Sequence, residues 1–378
     1  MKRCLILIYM LGNILFAAAD NTATKEALSV ALKSVASPEE KLETLTNLMD
    51  ISRQEEQVDY AKQLYKEALT NDNDYYKEAA LTEILRFYVN NDIKDSTNVY
   101  MEEAKRELKG KARDFLVTYM QTIIDVRVVF YTEGEDRKKL IEQYRLKLET
   151  DKKLSPLEKM SINYLLGMAY SNRVEPGREK ELQKIVSERF REVITLSENM
   201  PLRYSYLFRL NSFSILTLYS PDASEQTKYA IRYLDMQKEY ADTKEMKKRP
   251  YVTKRHLLNA YSSLALSAKT LGKDIATSYY QHFMALNSEY PEAAAFSPEY
   301  ERYFTSLNFY RLIDDYPTAI KYCDSVIHYF RNSGLKIDLS EHVVSTLKDK
   351  IDMLDSLHLY KEAFYAHKEY AALLDSAR

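Results

Sequence analysis

The residues that could do catalytic chemistry are few and widely separated in this sequence. The chain lacks H-E-x-x-H, G-x-S-x-G, a P-loop and G-x-G-x-x-G. A lone histidine on a helix is usually a structural residue. We therefore expect no metal site, no cofactor and no enzymatic activity. The six histidines are His256, His282, His328, His342, His358 and His367.

Paired acids and a thiol are the remaining reactive candidates. Glu39-Glu40 and Glu55-Glu56 are adjacent carboxylates, but helix caps and solvated helix faces explain them better than acid–base catalysis. Once residues 1–19 are removed, Cys323 is the only cysteine, so no intramolecular disulfide can form. A single cysteine inside an apolar helix face is usually a core residue.

The 32 tyrosines are the strongest compositional feature. In Tyr75-Tyr76 and Tyr279-Tyr280, helical geometry turns one ring inward and the other outward. The simpler interpretation is that tyrosine replaces tryptophan and phenylalanine as the large core residue. The alternative is that the outward rings line a groove, because an amphipathic ring suits peptides and sugars alike.

A basic cluster lies in the sequence KEMKKRPYVTKRH at 244–256. We expect a solvated loop that precedes a helix beginning near Tyr251, and Glu245 lowers the local charge. The alternative is that the cluster attracts an anionic partner. Its basic residues are Lys244, Lys247, Lys248, Arg249, Lys254 and Arg255.

The elements that position these residues are predicted to be helices. Only 7 Gly and 9 Pro occur in 378 residues, which leaves little of the turn chemistry that a large sheet requires. Serine-proline pairs at Ser37-Pro38, Ser155-Pro156 and Ser297-Pro298 predict helix starts. We expect about 16 helices between residues 24 and 377. The fold class is therefore all-α.

Residues 1–19 have the layout of a secretory signal peptide. Lys2 and Arg3 precede an apolar core, and Ala17-Ala18-Ala19 forms a small-residue cleavage site before Asp20. An uncleaved anchor is the alternative. No later stretch has the apolar length of a membrane span. Cleavage leaves 52 basic against 56 acidic residues, so we expect an exported, periplasmic chain that binds no nucleic acid.

Small residues recur at a regular period along the chain. Ala230, Ala276, Ala319 and Ala363 are spaced by 46, 43 and 44 residues. Two earlier units, centred on Ala61 and on Thr97, are offset by 36 residues. At the crossing point of two closely packed helices there is room for one small side chain, flanked by large ones. The period therefore predicts repeated antiparallel helix hairpins.

This pattern resembles the tetratricopeptide repeat (TPR). The sequence NYLLGMAY has Leu166-Gly167 and Tyr170 at the family's spacing, with Asn163 in place of its tryptophan. The resemblance implies a right-handed superhelical solenoid of antiparallel hairpins over residues 20–378. The loops EPGRE at 175–179 and DTKEMKKRP at 242–250 predict a bend near 175–180 or 243–250. The longer late periods also suit HEAT-type repeats. A second match comprises Tyr303, Leu307, Tyr310, Tyr316, Ala319 and Cys323.

In the TPR family, the first helix of each hairpin lines the concave face. Carried over to the matching positions, the resemblance implies a concave binding surface for a protein, peptide or glycan. The predicted surface comprises Thr46, Asp50, Arg53, Thr82, Arg86, Asn90, Tyr164, Met168, Ser171, Asn172, Tyr261, Lys269, Glu301, Asn308 and Arg311.

The chain also resembles the extracytoplasmic TPR-like regions of bacterial sensor histidine kinases and LuxR-type regulators. The similarity lies in the signal sequence, the Tyr-rich helix pairs and the final repeat YKEAFYAHKEYAALLDSAR. It implies a sensory binding module of a two-component system, with a periplasmic scaffold as the alternative. In that family a membrane helix and an output domain follow; here neither precedes Arg378, so a stand-alone relative, a truncated gene and a split sensor all stay open.

Overall fold

The computed structural model describes residues 22–171, 177–294, 297–332 and 339–376, and these residues form 18 α-helices and no β-strand. The all-α class is therefore confirmed for this part of the chain, with slightly more helices than the sequence predicted. The signal peptide and Asn172 lie outside the described residues.

The helices follow one another through short connections. The first eleven are α1 (Thr22–Ser34), α2 (Pro38–Ile51), α3 (Gln54–Thr70), α4 (Asp74–Asn90), α5 (Lys94–Glu107), α6 (Gly110–Tyr131), α7 (Gly134–Thr150), α8 (Pro156–Ser171), α9 (Glu179–Glu198), α10 (Leu202–Tyr219) and α11 (Ala223–Ala241). The others are α12 (Pro250–Ala265), α13 (Ala268–Leu271), α14 (Lys273–Glu289), α15 (Pro298–Leu312), α16 (Tyr316–Asn332), α17 (Leu339–Ser356) and α18 (Tyr360–Ser376). Short 3₁₀ helices cover Met246–Lys248 and Pro291–Ala293.

The described residues divide into two compact units, with the boundary inside α12. Unit 1 comprises Thr22–Thr253, and unit 2 begins at Lys254. In unit 1 consecutive helices contact one another from α1 to α11, and alternate helices also pack together, α2 with α4, α4 with α6 and α6 with α8. We call α2, α4, α6 and α8 the first helices of unit 1. In addition, α10 contacts α6.

Unit 2 has the same kind of local packing. Contacts link α13 to α14, α14 to α15, and each later helix to the next as far as α18. Its first helices are α12, α15 and α17, each of which precedes the helix with which it forms a pair.

Serine caps begin the helices that the sequence predicted. Ser37 Oγ accepts a hydrogen bond from Glu40 N at 3.1 Å, and Ser297 Oγ accepts one from Tyr300 N at 3.0 Å. At the start of α8, Ser155 Oγ accepts from Glu158 N, while Glu158 Oε2 accepts from Ser155 N at 2.8 Å. This reciprocal pair is a capping box, which satisfies backbone N–H groups that the first helical turn leaves without partners.

The small residues of the repeat are buried, as expected for helix-crossing positions. Ala319 lies in a cluster with Leu307 and Cys323, and the rings of Tyr303 and Tyr316 pack against the same cluster. Close contact between helices also explains Gly167, because a Cβ atom there would lie 2.8 Å from the Phe190 ring on α9. The buried repeat positions are Ala61, Thr97, Ala230, Ala276, Ala319 and Ala363.

No helix among the described residues is both long enough and apolar enough to cross a membrane.

Candidate functional site: an acidic recess and a second surface

Most of the predicted binding residues of unit 1 contact other parts of the chain instead of solvent. Thr46 and Asp50 on α2 are buried. On α8 the predicted residues Tyr164, Met168 and Ser171 are also buried. The remaining described members in unit 1 are half-buried, and they are Arg53, Thr82, Arg86 and Asn90.

An acidic recess on α2 and α4 holds a segment from the far end of unit 1. We define this recess by Asp50, Tyr75 and Glu83, and the segment that fills it, residues 243–249, as the basic segment. Arg249 makes two hydrogen bonds to Asp50, from Nε to Oδ2 at 3.0 Å and from Nη2 to Oδ1 at 2.6 Å. Glu83 Oε1 is 3.7 Å from the same Arg249 Nη2. The Arg249 side chain is 12% exposed and that of Asp50 is 1% exposed, so the pair is shielded from water.

The backbone and the neighbours of Arg249 are held as well. Tyr75 Oη donates a hydrogen bond to the carbonyl oxygen of Glu245 at 3.0 Å. Lys248 Nζ lies 2.7 Å from Glu39 and 2.8 Å from Glu43, both on α2. The basic segment is therefore bound through two cationic side chains and a backbone carbonyl.

Arg203 on α10 extends the charge network at the edge of the recess. It pairs with Glu78 at 2.5 Å, approaches Glu245 at 4.0 Å and lies over the Tyr75 ring. Burial raises the pKa of Glu78, and the pair with Arg203 offsets part of that rise. Burial lowers the pKa of Arg249, but its pairing with Asp50 outweighs burial and raises that pKa well above its usual value.

The expectation of a solvated basic loop was wrong for most of the cluster. Lys248 and Arg249 form ion pairs with α2, Lys254 lies over the Tyr290 ring, and Arg255 donates to the carbonyl oxygen of Ala293. Lys244 and Lys247 are exposed, as a solvated loop requires.

Tyr164 belongs to an aromatic core and not to an open groove. Its ring packs edge-on against Phe190 and Phe208, and its hydroxyl accepts a hydrogen bond from Asn211 at 3.0 Å. Tyr119 packs against the same Phe208 ring. These contacts support the interpretation of tyrosine as a core residue at these positions.

The predicted residues of unit 2 keep access to solvent. Tyr261 stacks on His282 with the ring centres 5.3 Å apart. On α15, Arg311 lies 2.5 Å from Asp349 of α17 and donates to Asn308 Oδ1 at 3.0 Å. The side chains of Tyr261, Glu301, Asn308 and Arg311 are half-buried, and Lys269 is exposed.

No group of three or more His, Cys, Asp or Glu side chains that could hold a metal ion occurs in the part of the chain that the structure describes. Cys323 is buried, and burial raises the pKa of its thiol to about 12, so the reactive thiolate is scarce at neutral pH.

A cavity of about 540 Å³ in unit 1 lies among the N-terminal ends of α6, α8 and α10. Phe115, Leu157 and Met200 contribute to its wall. Its carboxylate Glu158 is engaged in the capping box of α8, and its pKa is lowered by those hydrogen bonds. A carboxylate held ionised by its cap is a poor general acid. The second carboxylate of the wall, Asp114, forms an ion pair with Arg113 at 2.9 Å.

Comparison with known proteins adds no family assignment. No protein-family model matches the chain, and no curated protein matches it either. The class that the described residues define is an all-α protein of sequentially packed helix pairs.

Proposed function

We propose that the chain is an exported, non-catalytic binding module built as a right-handed superhelix of TPR-like hairpins over residues 20–378. Its first helices bind a segment of a protein or peptide. The observation that carries this proposal is the position of the basic segment, which α2 and α4 hold against their surface through Arg249 and Glu245. The first helices of this chain thus have side chains suited to a short segment that is not an α-helix.

The chemistry of these contacts favours a polypeptide over a glycan. A planar guanidinium matches a carboxylate with two parallel hydrogen bonds, as Arg249 does with Asp50. The bond from Tyr75 to the Glu245 carbonyl is of the kind that recognises any backbone regardless of sequence.

Unit 2 supplies the surface for the ligand in this proposal. In unit 1 the basic segment already covers the recess, whereas Tyr261 on α12 and Asn308 on α15 remain half-exposed. Aromatic rings and amides on rigid helices are common contacts for peptide ligands. A ligand therefore meets exposed polar and aromatic groups at these helices without displacing part of the chain.

The test is capture of partners from a cell-envelope extract by the chain that begins at Asp20, with identification by mass spectrometry. The double variant Tyr261→Ala/Asn308→Ala should lose most of the captured partner while its circular dichroism and melting temperature stay close to those of the parent. Lys244→Ala/Lys247→Ala is the matched control, since both lysines are exposed. Equal capture by the two double variants would contradict a binding surface on α12 and α15.

The biological setting that we propose is the periplasm, with a sensory role in a two-component system. The scaffold alternative is favoured by one observation, the exposed rings of Tyr360 and Phe364 on α18, which suit a lasting protein contact. A neighbouring gene for an output kinase or regulator would support the sensor. Capture of several envelope proteins in one stable complex would support the scaffold.

A further inference from the structure

An apolar stripe on α18 is exposed to solvent. Phe364 is 59% exposed and Tyr360 is 64% exposed, and the spacing of the stripe alternates between four and three residues. The buried face of the same helix is formed by Ala363 and Ala366, which pack with Ile351 of α17. The stripe is therefore additional to the face that anchors α18. It comprises Tyr360, Phe364, His367, Ala371 and Leu374.

The equivalent stripe on the preceding second helix is covered by another helix. A shift of 44 residues, the repeat period between Ala319 and Ala363, converts the α18 stripe into residues of α16. Cys323, Ile327 and Phe330 of α16 are buried in a cluster with Val343 and Leu347 of α17. On α16, the residues at these stripe positions thus form the surface on which α17 packs. The corresponding α16 residues are Tyr316, Ile320, Cys323, Ile327 and Phe330.

We propose that the α18 stripe is a self-association surface, on which α18 of a second copy of this chain packs in antiparallel orientation about a two-fold axis. The axis passes beside His367, so that Phe364 faces the small Ala371 of the second copy and Tyr360 faces its Leu374. The match of the large Phe364 with the small Ala371 lets two helices approach closely. An isologous contact also requires one self-complementary patch, and this stripe provides one.

The charges beside the stripe complement each other in the same arrangement. Lys361 and Asp375 are exposed and lie along one edge of the stripe, near its opposite ends. In the antiparallel pair, Lys361 of each copy faces Asp375 of the other, which makes two oppositely charged pairs. Exposed Lys368 lies between them on the same edge and faces Lys368 of the other copy in either orientation. In a parallel pair, Lys361 would face Lys361 and Asp375 would face Asp375. The pattern therefore favours the antiparallel orientation over the parallel one.

Sedimentation velocity over a concentration series, on the chain beginning at Asp20, tests the association. The parent should show a monomer–dimer equilibrium. Phe364→Glu should raise the dissociation constant of the dimer at least about a hundredfold, because the two-fold axis places the change twice in the interface. Tyr131→Glu is the matched control, since Tyr131 is 71% exposed but lies at the end of α6 in unit 1 and not on the α18 stripe. A parent that stays monomeric, or equal effects of the two changes, would overturn the proposal.

Oxidative cross-linking tests the orientation. In Phe364→Cys/Ala371→Cys the two thiols of one chain are about 10.5 Å apart along the helix, too far for an internal disulfide. The double variant should form a covalent dimer, whereas Phe364→Cys alone should not. Buried Cys323 should not interfere. A covalent dimer of the single variant, or the lack of one in the double variant, would refute the antiparallel pairing.

Discussion

Replacement of Arg249 by alanine should destabilise unit 1 strongly. The change leaves Asp50, 1% exposed, without its bidentate partner and with Glu83 nearby. Removing one partner of a buried ion pair typically costs about 3–5 kcal/mol, because the other charge remains buried and unpaired. That loss is a large fraction of the about 5–15 kcal/mol that stabilises a typical domain. It corresponds to a fall of about 1–2 M in the urea midpoint.

The chemistry of the Asp50–Arg249 pair determines how much stability each variant should lose. Arg249→Lys keeps the charge but cannot make two parallel hydrogen bonds, so its loss should be intermediate. Asp50→Leu/Arg249→Met removes both charges, so the double variant should be more stable than the sum of the two single changes predicts. Lys247→Ala, an exposed change in the same segment, should alter the unfolding free energy by less than about 0.5 kcal/mol.

Two assays report the effect on unit 1. Urea unfolding followed by circular dichroism gives the midpoints, and limited digestion with trypsin measures cleavage after Lys247, next to the ion pair. Trypsin should cut Arg249→Ala faster than the parent because the basic segment is no longer held on α2. If Arg249→Ala unfolds like Lys247→Ala and is cut after Lys247 no faster than the parent, the buried pair does not stabilise unit 1, and our interpretation of the recess fails.

Three further measurements test other parts of the structure. Gly167→Ala should lower the urea midpoint, since its new Cβ meets the Phe190 ring at 2.8 Å, and Gly167→Ala/Phe190→Leu should recover part of the loss. Ala319→Leu should cost about 1–3 kcal/mol in a urea melt by overpacking a helix crossing, whereas exposed Lys321→Ala should be nearly silent. Burial raises the pKa of Tyr206 well above its usual value, so this residue ionises near pH 10 only in the unfolded chain. Its stabilising contribution should be complete below about pH 10 and fall by about 1.4 kcal/mol per pH unit above that pH, until the folded pKa is reached. Urea melts above and below about pH 10 should therefore show a shallower loss for Tyr206→Phe than for the parent.

Local sequence patterns were sufficient to predict the all-α fold class and the residues at which neighbouring helices pack. Ser37, Ser155 and Ser297 cap the helices that follow them, because a cap depends on residues only three positions apart. The buried Ala319 and Ala363 followed from the repeat period, which reports the face of a helix that packs on its neighbour. These features lie within one hairpin, so a single sequence contains the information.

The acidic recess could not be predicted in the same way. Arg249 and Asp50 are separated by 199 residues, and no repeat period relates them. The register predicted that Asp50 lies on a concave binding surface, but it gave no sign that another segment of the chain covers that position. Glu39 was interpreted as part of a helix cap or a solvated face for the same reason.

The recess also changes how the stability of unit 1 should be understood. In an ideal repeat array each hairpin contacts only its neighbours, and stability is a sum of local terms. Here α2, in the first part of unit 1, buries Asp50, whose charge is neutralised by Arg249 at the far end of the same unit. Because an unpaired buried carboxylate is costly, the native packing of α2 depends on the presence of the basic segment. Unit 1 therefore gains a long-range cooperative link that a simple array lacks, and its early hairpins reach full stability only when the chain is present through Arg249.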